Sequence, residues 1–280
     1  MNPVDVHEGA SPLILGIPHA GTEMPDAVRM RLNDNGLLLQ DTDWHVDRLY
    51  EGLLPEATVV RARFHRYVID ANRDPSGASL YPGQNTTGLV PLTDFDGRPI
   101  WREGEEPGAE ETAERLEAFH RPYHAALCEQ IARVKERHGV AVLYDCHSIR
   151  SRIPFLFEGR LPDLNLGTND GASCGPEFAE AAEAVCARAD GFTHVVNGRF
   201  KGGWTTRHYG RPEDGVHAIQ MELAQSAYLE TEEAPFAYCE EKAGRLRPVL
   251  RELLRRLESI ALHHEDTKET RRTPGTQHTS

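Results

Sequence analysis

Leu13-Ile14-Leu15-Gly16-Ile17-Pro18-His19-Ala20-Gly21 decides the fold. Four large apolar side chains and a glycine run without polar alternation into a proline, a histidine and a second glycine. A run of this length and character is a strand covered on both faces, as in an α/β sheet. Pro18 and Gly21 end it, so His19 sits just past the carboxyl end, the edge at which open α/β sheets bind ligands. A single histidine there is more often a packed side chain than a ligand. The same arrangement recurs, and that changes the weighing.

The second copy is Val140-Ala141-Val142-Leu143-Tyr144-Asp145-Cys146-His147-Ser148, again an apolar run ending in histidine, with Asp145 two residues before it. Two such strands side by side bring two imidazoles to one sheet edge. Imidazole is a preferred zinc ligand, and a catalytic zinc takes three protein ligands and keeps one position open. The third comes most readily from Asp41-Thr42-Asp43-Trp44-His45-Val46-Asp47, where three carboxylates and a histidine crowd together. Asp43 also suits the N-cap of a helix bearing Val46, Leu49, Tyr50 and Leu53. It is preferred as ligand over Asp41, Asp47 and His45.

A chain of 280 residues is expected to form one α/β domain over 1–264, followed by a disordered polar tail over 265–280. No apolar run approaches the roughly 18 residues of a membrane span, and Met1-Asn2-Pro3-Val4-Asp5 lacks the features of a signal peptide. A cytoplasmic protein is expected, with no membrane partner, as a monomer or small homo-oligomer. Five cysteines without a C-x-x-C pair argue against a disulfide framework or a zinc ribbon. The 31 Lys plus Arg against 44 Asp plus Glu give a net charge of −13, which repels nucleic acid. It equally repels an acidic small molecule unless arginines line the site.

Further elements follow from pattern. Asp26 to Leu32 reads as a short helix, and Thr58 to Arg61 and Tyr67 to Asp70 as strands. The second of these enters Asp70-Ala71-Asn72-Arg73-Asp74-Pro75, where Asn72 and Arg73 offer an amide and a guanidinium suited to a carboxylate. Residues 76–108, rich in glycine and proline, form a long loop in which Tyr81, Thr86 and Thr87 are candidate pocket residues. Glu110 to Arg137 is an amphipathic helix stopped by Gly139. Its His120 and His124 have the spacing of two zinc ligands on one helix face, but the glutamate of H-E-x-x-H is replaced by Arg121, so they read as surface or packing groups. Asp163 to Ser173 reads as a loop, Pro176 to Ala189 as a helix, and Val195-Val196 as the start of a strand. That strand leads into Asn197-Gly198-Arg199-Phe200-Lys201-Gly202-Gly203, which fits neither phosphate-binding fingerprint. Arg207 and His208 form a cationic cluster beyond it. His217 to Leu223 reads as a strand in which Glu222, between Met221 and Leu223, sits in a setting that raises a carboxyl pKa towards that of a useful base. Pro235 to about Leu262 is the closing helix.

Taken together, Pro18-His19-Ala20-Gly21, Asp41-Thr42-Asp43-Trp44-His45, Arg66-Tyr67-Val68-Ile69-Asp70-Ala71-Asn72-Arg73, Asp145-Cys146-His147-Ser148-Ile149-Arg150, Asn197 to Gly203 and Gln220-Met221-Glu222-Leu223-Ala224-Gln225-Ser226 form an ordered set. The chain resembles the N-formylglutamate amidohydrolase family over roughly residues 10–262. Ala71 and Cys146 stand where that family more often has leucine and alanine. The resemblance implies a three-layer α/β/α fold, with a mostly parallel or mixed sheet, similar to zinc-dependent exopeptidases. In that larger group two histidines and a carboxylate hold zinc, an Asn-Arg pair holds a substrate carboxylate, and a glutamate is the base.

Carried over by motif, the resemblance implies one divalent metal, zinc by preference, on His19, Asp43 and His147. It makes Glu222 the base, Arg66 an oxyanion stabiliser, and Asn72 and Arg73 the carboxylate clamp, with Arg207 or His208 assisting. Exopeptidases take their carboxylate ligand three residues after the first histidine, and here that position is Thr22. The implied reaction is metal-dependent hydrolysis of N-formyl-L-glutamate, a small acidic substrate, to glutamate and formate, the last step of a histidine degradation pathway. Two alternatives remain. One is an amidase for N-formylaspartate or N-succinylglutamate; the other, disfavoured by a retained base, is a non-catalytic metal-binding protein on the same scaffold.

Overall fold

The computed structural model describes residues 2–79, 83 and 85–272. Its helices are α1 (Asp26–Arg29), α2 (Asp34–Leu37), α3 (Val46–Tyr50), α4 (Ala109–Arg115), α5 (Arg121–His138), α6 (Pro176–Ala187), α7 (Trp204–Tyr209) and α8 (Glu240–Arg272). Its strands are β1 (Val4–His7), β2 (Leu13–Ile17), β3 (Thr58–Ala62), β4 (Ala141–Ile149), β5 (Leu164–Gly167), β6 (His194–Val196) and β7 (Val216–Ala224).

β2 is buried at every position, as an unalternating apolar run requires. Leu13, Leu15 and Ile17 join one apolar cluster and Ile14 the other, the period-two geometry of a strand with both faces covered. β4 repeats it: Val142, Tyr144 and Cys146 enter the first cluster, Ala141 and Leu143 the second. The first layer comes from α3, α6 and α8 through Leu49, Phe178 and Leu246. The second comes mainly from α5 through Leu127, Ile131 and Val134. The architecture is therefore three-layer α/β/α. Among the described residues the sheet order is β1-β3-β2-β4-β7-β5-β6. β2, β3, β4 and β7 are parallel, while β1 runs antiparallel to β3 and β5 antiparallel to β7. Their carboxyl ends bring His19, His147 and Glu222 to one edge.

The long helix is present, in three parts. α4 passes through a π turn at Leu116–His120 into α5, and Gly139, at φ +69°, takes the left-handed conformation that ends it. Other expectations need correction. Tyr67 to Asp70 is a turn, not a strand: Val68 N donates to His65 O, and Arg66 and Asp70 close on each other as a buried i,i+4 ion pair that pleated backbone would hold apart. Asp43 does not cap α3. His45, at φ +60°, occupies the N-cap without a side-chain hydrogen bond, because the Asp43 carboxylate is drawn towards His147. The expected loop 163–173 contains β5, whose four residues are all buried. Asn165 and Gly167 hide that strand from a pattern reading, although Gly167 is needed where the backbone of Gly202 comes too close for a Cβ. β1 has no signal in the sequence strong enough to name it. α8 begins at Glu240, and its backbone continues to Arg272, beyond the expected end near Leu262 and into the expected tail; residues 273–280 lie outside the described residues. No helix among the described residues is long and apolar enough to cross a membrane.

Candidate active site

The site is assembled by backbone before side chains. The Asp43 N–H donates to His19 O at 3.1 Å, which fastens the segment before α3 to the end of β2. β4 lies parallel to β2 and carries His147, and β7 lies parallel to β4 with Glu222 in register with His147. Neighbouring strands are about 4.8 Å apart, so these groups are adjacent by topology. The two imidazole rings lie 5.0 Å apart. His19, Asp43 and His147, all buried, each offer one ligand atom, and those atoms lie within 4.8 Å of one another.

Both imidazoles are oriented from behind. His19 Nε2 is 2.7 Å from Asp70 Oδ1, and His147 Nε2 is 3.2 Å from Asp145 Oδ1. The opposite nitrogens face Asp43 Oδ2, at 3.9 Å from His19 Nδ1 and 3.1 Å from His147 Nδ1. Asp43 Oδ2 also accepts the Ser148 N–H at 3.0 Å. A carboxylate behind each ligating imidazole fixes its tautomer and raises its basicity. Arg66 joins the carboxylates: its Nη2 donates to Asp70 Oδ2 at 2.6 Å and its Nη1 is 3.7 Å from Asp43 Oδ1.

Charges follow this wiring. Burial, and then Arg66, lower the His19 pKa, keeping it neutral and able to ligate. Burial opposes charge on His147, but Asp145 and Asp43 outweigh it and hold its pKa well above the ordinary value. Burial likewise disfavours charge on Asp70, yet Arg66 keeps it well below the carboxylate range. This donor set fits a divalent cation. His19 Nδ1 is buried without a hydrogen-bond partner and points at Asp43, and a cation bound to His147 replaces the proton that the two aspartates otherwise retain there. The chemistry of two imidazoles and one carboxylate is that of a catalytic zinc set.

The centre opens into a cavity of about 300 Å³. Glu222 lies in its wall, Oε2 accepting from Gln220 Nε2 at 3.0 Å, and burial pushes its carboxyl up to about 8. Arg66, Asn72 and Arg73 also line the cavity, as do Thr86 and Thr87; Tyr81 lies outside the described residues. Arg73 is mounted on Thr87, donating from Nε to its carbonyl and from Nη2 to its hydroxyl, each at 3.0 Å. Asn72 is less available than the sequence suggests. Its Oδ1 accepts the Thr205 N–H at 2.8 Å and its Nδ2 is 3.1 Å from His147 Nε2. Gly203 permits this, since a Cβ there would fall 2.2 Å from Asn72 Nδ2.

Arg207 and His208 are not among the described residues that line the cavity. On α7, Arg207 Nε donates to Gly202 O at 2.9 Å and His208 stacks on Trp204. Arg199 and Gln220 line it instead. The rival ligands are engaged elsewhere, Asp41 by Tyr67 Oη and Phe95 N, Asp47 by Arg61, and His45 by Phe236 O. Sequence reasoning gives no role to Asp70 or Arg199, though each sits inside one of the quoted motifs. Asp70 is signalled only by the presence of a histidine needing an orienting carboxylate.

Comparison with known proteins gives a consistent result. The sequence model of the family described as N-formylglutamate amidohydrolase matches residues 11–229. The chain is 52% identical over 251 residues to an N-formylglutamate deformylase of Pseudomonas aeruginosa, covering 89% of this chain and 93% of that one. It is 50% identical over 252 residues to the protein of that name from Pseudomonas putida, covering 90% and 94%. Among solved structures, that of an N-formylglutamate amidohydrolase from Ralstonia eutropha superposes with a TM-score of 0.76 at 25% identity, over 96% of this chain and all of that one.

Proposed function

We propose that this protein, which belongs to the N-formylglutamate amidohydrolase family, hydrolyses N-formyl-L-glutamate to L-glutamate and formate with a divalent metal, zinc by preference, held by His19, Asp43 and His147. The observation that carries the metal is the orphaned, buried Nδ1 of His19, aimed at Asp43 within a cluster of ligand atoms. The setting we assign is the last step of histidine degradation, in the cytoplasm.

A cation at these residues supplies Lewis acidity to a water and to the formyl oxygen. The chain's own groups do the rest. Gln220 holds Glu222 Oε2, which leaves Oε1 to take the proton from water as its oxygen adds to the formyl carbon. A carboxyl pushed up to about 8 can accept that proton and return it near neutral pH, so Glu222 then protonates the nitrogen as the C–N bond breaks. Arg66, pinned between Asp70 and Asp43, holds fixed positive charge at the wall where oxygen becomes negative. Arg73 grips a substrate carboxylate. Asn72 lines the cavity beside Arg73, its Oδ1 fixed by the Thr205 N–H.

The test is release of formate or succinate from N-formylglutamate, N-formylaspartate and N-succinylglutamate, measured after metal analysis. N-formylglutamate should be turned over fastest, a chelator should abolish turnover, and zinc should restore it. Full activity in verified metal-free protein overturns the metal assignment. Faster turnover of either rival substrate overturns the substrate.

A further inference from the structure

We propose that Arg199 reads the distal carboxylate of the substrate, so that the cavity recognises a dianion through two guanidinium groups braced on one short segment. The inference rests on the deformylase reading and adds a determinant of its specificity. Arg73 Nε and Nη2 are anchored on Thr87, and Arg199 Nη2 donates to Asn85 O at 3.4 Å. Alternate residues of one stretch thus carry both groups. Arg199 is steadied from the other side by Leu156 O, which accepts from its Nε at 3.1 Å, and both arginines line the cavity.

Their surroundings divide the work. Arg73 Nη1 is 3.7 Å from Asp70 Oδ2, the carboxylate behind His19, so it stands next to the reaction centre. That place suits the α-carboxylate, one bond from the carbon that bears the scissile amide. Arg199 belongs to a wall that includes Leu156 and Phe200, apolar surface suited to the substrate's methylenes with a cation at its end. Charge requires such a partner. The chain carries −13, and Asp43 and Asp74 line the cavity, so a second substrate carboxylate is repelled unless a local cation receives it. A site whose half-buried guanidinium is matched to a carboxylate discriminates against the neutral isostere, which offers it no charge.

The experiment compares metal-loaded wild type, R199Q and R199K on N-formylglutamate and N-formylglutamine, by steady-state kinetics and by titration calorimetry. Wild type should prefer the dianion. In R199Q, kcat/KM for N-formylglutamate should fall roughly tenfold to a hundredfold, chiefly through KM, and the preference over N-formylglutamine should shrink by at least tenfold. R199K keeps the charge but not the planar fork, so its preference should be intermediate; it carries the test alone if R199Q does not fold. Equal losses on both substrates, with the preference retained, overturn the proposal. If wild type releases no formate from any N-formyl amino acid, the deformylase reading fails, and calorimetry still decides this one. Tighter binding of the dianion that R199Q loses upholds it, and equal binding of both compounds by wild type overturns it.

Discussion

The proposed reaction centre and the proposed recognition wall of this cavity are built differently. His19, His147 and Glu222 come from the ends of parallel central strands, and each is fixed by neighbouring backbone and by a second polar side chain. Arg73 and Arg199 are long side chains mounted on loop atoms at 85–87 and on Leu156 O. Strands tolerate little displacement, whereas loops can vary in sequence without disturbing the sheet. The division implies that chemistry and specificity in this protein are separable by mutation.

The strongest challenge to that division is Glu222→Gln, which keeps shape and hydrogen bonding but cannot accept a proton. kcat should fall by about 10²–10⁴, with KM and metal content little changed. Loss of metal from this variant would place Glu222 among the ligands and merge the two functions. A smaller effect is expected from Asp70→Asn, which removes the charge behind His19 and one of the two buried carboxylates that hold Arg66. Metal affinity, measured by chelator competition, should weaken by about 10–100-fold. An unchanged affinity would show that Asp70 serves the fold alone. The mildest case is Arg73→Ala, on the wall. A charge-assisted hydrogen bond is worth about 1.5–3 kcal/mol, so kcat/KM should drop at least about tenfold, mainly through KM. A drop confined to kcat would erase the proposed boundary between centre and wall.

Legibility from sequence follows the same boundary. Leu13–Ile17 and Ala141–Ile149 are short local patterns, and their ends name His19 and His147 directly. Asp43 stands out by local crowding, although its use as a helix cap does not survive, since the carboxylate turns to His147 and Ser148 N. Asp70 sits in an irregular turn 51 residues from the histidine it orients, a relation that no periodicity records. Arg199 looks like one arginine among several until its loop is packed, which is why the sequence points to Arg207 and His208 and gives Arg199 no role. His120 and His124 are packing groups, as the missing glutamate suggests, but what they pack is informative. His124 Nε2 donates to Ala71 O at 2.7 Å and His120 Nε2 approaches Arg73 O at 3.1 Å. Together they brace the backbone on both sides of Asn72, and burial lowers His124 to about 3, so it stays neutral in that role.

Among the described residues β7 is the last strand in sequence, yet it lies between β4 and β5. It pairs with β4 from Ala141–Val216 to Ile149–Ala224, nine positions that are all buried. During synthesis, one edge of β4 therefore has no native partner until the chain has been extended past residue 224. An unpaired apolar edge is a template for pairing with another chain. The hazard this topology creates belongs to the nascent polypeptide, and it ends when the strand carrying Glu222 enters the middle of the sheet.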